Sequence, residues 1–171
     1  STSEAELDDK YAQAAINCKF VDYHARFACY KELFRSYLLE NPGVPRHSYK
    51  FFLPYIINQS DLGETELYMT PLSTNCHAFM HAVGEVYVEL YFNGSEEQIF
   101  SELSTECRLG DRVGAIERLA KMRNFDDAYI NNLFASCTAS IDGAGEADLQ
   151  QCSHGMGHIY FSKYVFDTSA L

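Results

Sequence analysis

Four of the six histidines in this chain form two pairs with the same spacing. His77 and His81 make the first pair, and His154 and His158 make the second. A separation of four residues places two side chains on one face of an α-helix, about one turn apart. The two pairs therefore predict two helices that face each other across one polar site.

Imidazole is the commonest protein ligand for transition metals, so the pairs predict a four-histidine metal site. Zinc accepts tetrahedral nitrogen ligands and is the ion that we expect, with copper or iron as alternatives. Calcium and magnesium prefer oxygen ligands and are disfavoured. The competing interpretation is that the four are hydrogen-bonded core histidines. His24 and His47 lack such partners and are predicted to be ordinary surface or core residues.

Glu85 extends the first histidine face, because it follows His81 by four residues and His77 by eight. Its carboxylate is a candidate catalytic group that would act as a general base. It could also be a fifth metal ligand or the hydrogen-bond acceptor that sets a histidine tautomer. The competing interpretation is a solvated carboxylate. The zinc-protease motif HExxH is absent, since Ala78 follows His77.

Glycines accompany both histidine pairs. Gly155 and Gly157 lie inside the second pair, in a segment that otherwise has helical periodicity. Each costs about 1 kcal/mol relative to alanine inside a helix, so their presence predicts close approach of a partner helix or room for a small ligand. Gly84 follows His81 by three residues and fits the same account. If the second segment is a loop instead, its histidines do not share a face.

Methionines and tyrosines also lie near the pairs. Met80 and Met156 lie between paired histidines, so a helix directs them away from the shared face and into the core. Tyr87 and Tyr160 could donate hydrogen bonds to a bound anion or oxygen species. We expect both to be core residues instead, which is the usual role of such tyrosines.

The hydrophobic periodicity is helical along nearly the whole chain, and no segment is a convincing strand. We therefore predict an all-α fold, a single compact metal-binding domain over residues 1–171 with about six to eight short helices braced by disulfides. The predicted helices are Leu7–Lys19, Asp22–Glu40, His47–Asn58, one capped by Ser73 or Thr74 that runs to Phe92, Ser95–Cys107, Arg112–Arg123, one capped within Asn124–Asp127 that ends near Cys137, and Glu146–Val165, with a loop at Gln59–Thr70 and a turn at Leu109–Asp111.

Six cysteines with wide spacing and no CxxC motif favour disulfides formed in an oxidising compartment. Buried free thiols are the alternative. The chain begins without Met or an apolar leader, as in a chain whose targeting segment has been removed or as a result of cloning. We therefore predict a secreted or extracytoplasmic protein. The expected pairs are Cys18–Cys29 in an early hairpin, Cys76–Cys152 beside the histidines, and Cys107–Cys137.

The composition narrows the range of partners. The formal net charge is −11, and no basic stripe is present, which argues against a nucleic acid or an anionic membrane surface. No segment approaches the roughly 20 apolar residues of a membrane span. A metal ion is the expected partner, and a small-molecule ligand is compatible with the site. The oligomeric state is left open.

These patterns predict an extracytoplasmic transition-metal-binding protein. If a coordination position is open, the chain could be a metalloenzyme that activates water or an oxygen species, with Glu85 moving protons. One alternative is a module that binds a b-type haem between the two histidine helices. Another is a disulfide-braced helical interaction domain without metal. The sequence leaves open whether the protein is an enzyme.

Overall fold

The computed structural model describes residues 7–57, 71–103, 107, 110–140 and 146–169. Over these ranges the chain is helical and has no strand, which confirms the all-α prediction. No helix in this part of the chain is both long and apolar enough to cross a membrane. The predicted loop at Gln59–Thr70 lies outside the described residues. The α-helices are α1 (Asp9–Cys18), α2 (Tyr23–Glu40), α3 (Leu53–Ile56), α4 (Pro71–Tyr91), α5 (Glu96–Ser101), α6 (Gly110–Met122), α7 (Asp127–Ala139) and α8 (Glu146–Ser169), and a 3-10 helix, Arg46–Phe51, precedes α3.

Side-chain caps determine where α5 and α7 begin. The Ser95 hydroxyl accepts a hydrogen bond from the backbone N–H of Gln98 at 3.2 Å, and the Asp126 carboxylate accepts one from Tyr129 at 2.9 Å. Each cap satisfies a backbone N–H that has no partner within its helix. The turn after α4 contains Gly94 with a φ of 104°, a conformation that glycine adopts without strain. The starts of α5 and α7 and the end of α4 agree with the prediction, but α5 ends at Ser101 rather than at Cys107.

Two helices begin earlier than the sequence predicts. α4 begins at Pro71, so Ser73 and Thr74 lie inside the helix rather than at its cap. Proline is common at the first helical position, because the N–H that it lacks has no helical partner there. α6 begins at Gly110, so the predicted turn is wrong where it includes Gly110 and Asp111. Gly110 packs against the α4 backbone, and we attribute its helical conformation to that contact.

Aromatic side chains form the part of the core that positions α4. Phe79 of α4 packs against Tyr30 and Phe34 of α2, with ring centroids 5.5 Å and 5.9 Å apart. Phe52, just before α3, packs against Phe34 at 5.8 Å. These edge-to-face pairs each contribute about 0.5–1.5 kcal/mol beyond the burial of their area. All four rings are fully buried, so they hold α4 firmly against α2.

Glycines bring α4 and α6 into backbone contact. A Cβ on Gly84 would overlap the α6 backbone, and a Cβ on Gly114 would overlap the carbonyl group of His81 on α4. Only glycine permits two helices to approach so closely. α6 also packs against α8, where Gly155 faces the Ile116 side chain. α6 is therefore the element that connects the two histidine helices.

Three disulfides brace the helices, as expected for a chain that folds in an oxidising compartment. The predicted bond between Cys18 and Cys29 is confirmed. It joins the last residue of α1 to the middle of α2, with the two Cα atoms 5.6 Å apart. This bond sets the first helical hairpin.

The other two predicted disulfides are wrong. Cys76 pairs with Cys107 rather than with Cys152, and Cys137 pairs with Cys152 rather than with Cys107. The first bond ties α4 to the segment before α6, and the second ties α7 to α8. Each bond therefore joins segments that are close along the chain, with sequence separations of 31 and 15 residues. Cysteine spacing alone does not determine such a choice.

Candidate metal centre

The four paired histidines lie in one cluster, with one pair on α4 and the other on α8. The ring centroids of His77 and His154 are 6.0 Å apart, and those of His81 and His158 are also 6.0 Å apart. Within α8, the rings of His154 and His158 are 4.5 Å apart. Rings at these separations can direct nitrogens at a shared ion, because metal–nitrogen bonds are about 2.0–2.1 Å long.

A carboxylate that the histidine pattern does not predict lies in the middle of the cluster. Glu117 of α6 has Oε2 2.7 Å from His81 Nε2 and Oε1 2.6 Å from His158 Nδ1. Its side chain is 20% exposed. An ionised carboxylate only accepts hydrogen bonds, so both rings donate an N–H to it. Glu117 thereby sets the tautomers of two histidines, one from each helix.

The sequence signal for Glu117 is the spacing of glycines rather than of histidines. Gly110, Gly114 and Glu117 occupy positions i, i+4 and i+7 of α6, which is one helical face. The same spacing runs along α4 from His77 to Gly84. A Cβ on Gly110 would lie 2.9 Å from the carbonyl oxygen of His77, so the two faces are in direct contact. This contact places the Glu117 carboxylate beside His81 and His158.

The cluster is buried on the α4 side and open to solvent on the α8 side. The His81 side chain is 13% exposed and lies against Phe27 of α2, with ring centroids 4.5 Å apart. The His158 side chain is 39% exposed, and His154 is exposed. A Cβ on Gly157 would meet no atom within 4 Å, so there is space beside the second pair. Water and small molecules can therefore reach this edge.

Glu85 lies on the buried side of the cluster. It is 5% exposed, and one ligand atom from each of Glu85, His81 and Glu117 lies within 4.8 Å of the others. Its Oε2 atom is 2.9 Å from Lys31 Nζ, which also contacts Glu89 Oε1 at 2.7 Å. The interpretation of Glu85 as a solvated carboxylate is therefore wrong. Its roles as a metal ligand or a general base stay predictions.

Electrostatic effects shift the pKa values of three histidines, two of them downward and one upward. Burial, together with the neighbouring His81, lowers the pKa of His77 to about 4. Burial also lowers the pKa of His154, whereas the hydrogen bond to Glu117 raises the pKa of His158. Burial of Glu117 favours its neutral form, but the hydrogen bonds from His158 and His81 outweigh burial and lower its pKa to about 2. Near neutral pH, Glu117 is therefore an anion and His77 is neutral.

Acid is expected to destabilise the metal-free protein through His77. The pKa of this residue is about 4 in the folded chain and about 6.5 when unfolded, so the unfolded chain binds more protons between these values. Stability therefore falls as the pH drops from 6.5 to 4. With allowance for solvent screening, we expect a loss on the order of 2 kcal/mol. Urea unfolding in a chelator at both ends of this pH range measures it.

A variant at the same position isolates this effect. His77→Asn cannot take up the proton, so its stability should fall less over the same pH range. His47→Asn is the matched control, because His47 is exposed, and it should retain the full acid sensitivity. Equal acid sensitivity in His77→Asn and in the unmodified chain would show that His77 is not the source.

Other predicted neighbours of the site are placed as follows. Met80 and Met156 are buried, which confirms their prediction as core residues. Tyr87 is buried as expected, but Tyr160 is 48% exposed, so its prediction as a core residue is wrong. The side chain of His24 lies outside the described part of the chain.

These features define an all-helical, disulfide-braced domain with a histidine–glutamate cluster where α4, α6 and α8 meet. Comparison of the chain with protein-family models, with curated proteins and with solved structures finds no match. The function is therefore inferred from the chemistry of the cluster. Neutral imidazoles beside a carboxylate can bind a divalent transition-metal ion, and the same groups can move protons.

Proposed function

We propose that this chain is an extracytoplasmic transition-metal-binding protein whose ion is held by the cluster of Glu117 and the four histidines. The observation that carries the proposal is the position of Glu117, whose carboxylate lies within hydrogen-bond distance of both His81 and His158. Four neutral imidazoles leave the charge of a divalent ion uncompensated, whereas a carboxylate at their centre offsets half of it. The three disulfides support a location outside the cytoplasm.

Zinc is the ion that this donor set fits best, with copper or iron as alternatives. Imidazole nitrogen and carboxylate oxygen are both ordinary zinc ligands, at about 2.0–2.2 Å. Copper and iron also accept imidazole, and the presence of Glu85 beside Glu117 would favour iron further. Calcium and magnesium prefer shells made of oxygen ligands, which a cluster of four imidazoles does not offer.

The open edge of the cluster supports a catalytic extension of this proposal. His154 is exposed, and Gly157 of the same helix faces open space, so solvent can reach this edge. A catalytic zinc ion keeps one coordination position for water and lowers the pKa of that water to about 7. If Glu85, buried beside the donors, does not itself bind an ion, it would then serve as the general base. Activation of water or of an oxygen species is the activity that such a site can support.

The packing of the glycines favours a bare ion over a haem. A macrocycle needs a slot between its two histidine ligands. Gly84 faces the backbone of α6, and Gly155 faces the Ile116 side chain, so neither glycine opens a slot. The alternative of an interaction domain without metal would be supported by full function after chelation.

Removal of a central histidine is expected to reduce metal retention sharply. Protein purified without added metal, with its disulfides intact, is analysed for its elements and its absorption spectrum. His81→Ala and His158→Ala should each lower the metal content at least about twofold, because each removes a donor that contacts Glu117. His47→Ala is the control and should retain the metal, since His47 is exposed on the 3-10 helix.

Far-UV circular dichroism establishes that each variant is folded before its metal content is compared. Equal metal content in the three variants would count against the cluster as the binding site. A chain that carries no metal and takes up no zinc, copper or iron after chelation would overturn the proposed function. Strong visible absorption with one iron per chain would support the haem instead.

A further inference from the structure

We propose that the cluster binds two metal ions at positions of different chemistry. The inner position is formed by His81, Glu85 and Glu117, and the outer position is formed by His154 and His158. This inference rests on the proposed metal-binding function and specifies which donors act together.

The orientation of the His158 ring separates the two positions. His158 directs Nδ1 at Glu117 Oε1, 2.6 Å away, and directs Nε2 at His154 Nε2, 3.0 Å away. The two nitrogens of an imidazole point in diverging directions, so one ring cannot direct both at the same ion. His154 and Glu117 lie on opposite sides of this ring. Donors on the two sides of the ring therefore bind different ions.

The inner position has the donors and the charge that a divalent ion needs. Ligand atoms of His81, Glu85 and Glu117 all lie within 4.8 Å of one another, a separation that one ion can span. The two carboxylates together offset the charge of a divalent ion. Phe27 covers His81, and Glu85 is 5% exposed, so this position is shielded from water. An ion there takes the place of the proton that His81 shares with Glu117.

Lys31 does not block the inner position. Its Nζ atom is 2.9 Å from Glu85 and 2.7 Å from Glu89, so it keeps an anionic partner when Glu85 turns to an ion. Glu89 also pairs with Arg35 of α2. The side chain of Lys31 is 21% exposed, which gives its ammonium group access to water.

The outer position has the spacing of two nitrogens on one tetrahedral ion. Zinc–nitrogen bonds of about 2.0–2.1 Å at a tetrahedral angle place two nitrogens roughly 3.3 Å apart. The Nε2 atoms of His154 and His158 are 3.0 Å apart, so a small outward movement accommodates the ion. The Nδ1–H of His158 donates to Glu117, which is the arrangement that orients metal-binding histidines in many sites.

The two positions differ in the ions that they prefer. The inner donors are one nitrogen and two carboxylates, a set that suits manganese, iron or zinc. The outer donors are two imidazoles at a solvent-exposed edge, a set that suits zinc or copper with water in the remaining positions. The outer ion is therefore the one that a small molecule from solution can reach.

Zinc titration of the chelator-stripped, disulfide-intact chain tests the inference by calorimetry. The unmodified chain should bind two zinc ions with different affinities. His154→Ala should lose the outer ion and keep the inner one, whereas Glu85→Gln should lose the inner ion and keep the outer one. The matched controls His47→Ala and Glu97→Gln replace exposed side chains of the same types and should both bind two ions.

The outcomes separate this inference from the proposed function. If the unmodified chain binds one zinc ion, and both cluster variants lose that same ion, the two-position arrangement is wrong and metal binding stands. If neither the unmodified chain nor any variant binds zinc, the two-position arrangement is wrong. The proposed function is wrong as well if copper and iron also do not bind.

Manganese provides a measurement that does not depend on the folding of Glu85→Gln. Because manganese prefers carboxylate ligands, the unmodified chain should bind one manganese ion, and His154→Ala should bind it with the same affinity. Loss of manganese binding in His154→Ala, or no manganese binding in either protein, would contradict the inner position.

Discussion

Gly114→Ala is expected to lower the free energy of unfolding by about 3 kcal/mol or more. A Cβ at this position would overlap the His81 carbonyl group and would lie 2.7 Å from Cδ2 of the same residue. A carbonyl group held in α4 cannot rotate away as a flexible side chain would, so α4 and α6 must separate. Alanine contributes about 1 kcal/mol of helix propensity over glycine, which is too little to compensate. Urea unfolding of the metal-free chain measures the difference.

Gly157→Ala is the matched control for this substitution. Gly157 is also a glycine inside a helix of the cluster, but a Cβ there would meet no atom within 4 Å. Only the gain in helix propensity remains, so this variant should be more stable than the unmodified chain by about 0.5–1 kcal/mol. Zinc binding should weaken in Gly114→Ala, because the separation moves Glu117 away from His81. Equal stability of the two variants would show that α4 and α6 do not cross at Gly114.

Glu117→Gln is expected to weaken zinc binding about 10–100-fold, measured by competition with a chelating dye. The substitution removes the negative charge that compensates the ion and keeps the shape of the side chain. It also replaces one acceptor oxygen by an amide NH₂ group, which donates. The amide therefore cannot accept N–H bonds from both His81 and His158, and one ring must change its tautomer.

A second measurement distinguishes this role of Glu117 from a purely structural one. The carboxylate raises the pKa of His158, so the pKa of His158 in metal-free Glu117→Gln should fall back toward 6.5, as followed by NMR titration. Glu97→Gln is the control, because Glu97 is exposed on α5, and it should change neither the zinc affinity nor this pKa. Unchanged zinc affinity in folded Glu117→Gln would remove the observation on which the proposed function rests.

The all-α fold could be predicted from the sequence because its signals are local. Apolar residues at i, i+3 and i+4 indicate a helix without reference to the rest of the chain. The helix starts at Ser95 and within Asn124–Asp127 are predicted for the same reason, since the caps that the structure shows there act within one turn. The start of α6 could not be predicted in this way, because Gly110 is a poor helix former that packs against a helix distant in sequence.

The candidate site could be predicted only in part. The spacing of His77 and His81, and of His154 and His158, indicates two helical faces, and the structure brings these faces together. The histidine spacing does not indicate Glu117, because that carboxylate belongs to a third helix. It reaches the cluster only through the glycine contact between α4 and α6. Isolated acidic residues on an amphipathic helix usually face solvent, so only the glycine spacing of α6 distinguishes Glu117 from the other acidic residues.

Local periodicity and residue spacing are thus sufficient for the helical class, for the presence of disulfides and for the two histidine faces. The pairing of four of the six cysteines, the burial of Glu85 beside Lys31 and the identity of the central carboxylate depend on how the helices pack. The physical reason is the distance along the chain over which each signal acts. Helix signals act between residues within about two turns of each other, whereas the cluster joins residues of three helices that meet only where glycines let their backbones touch.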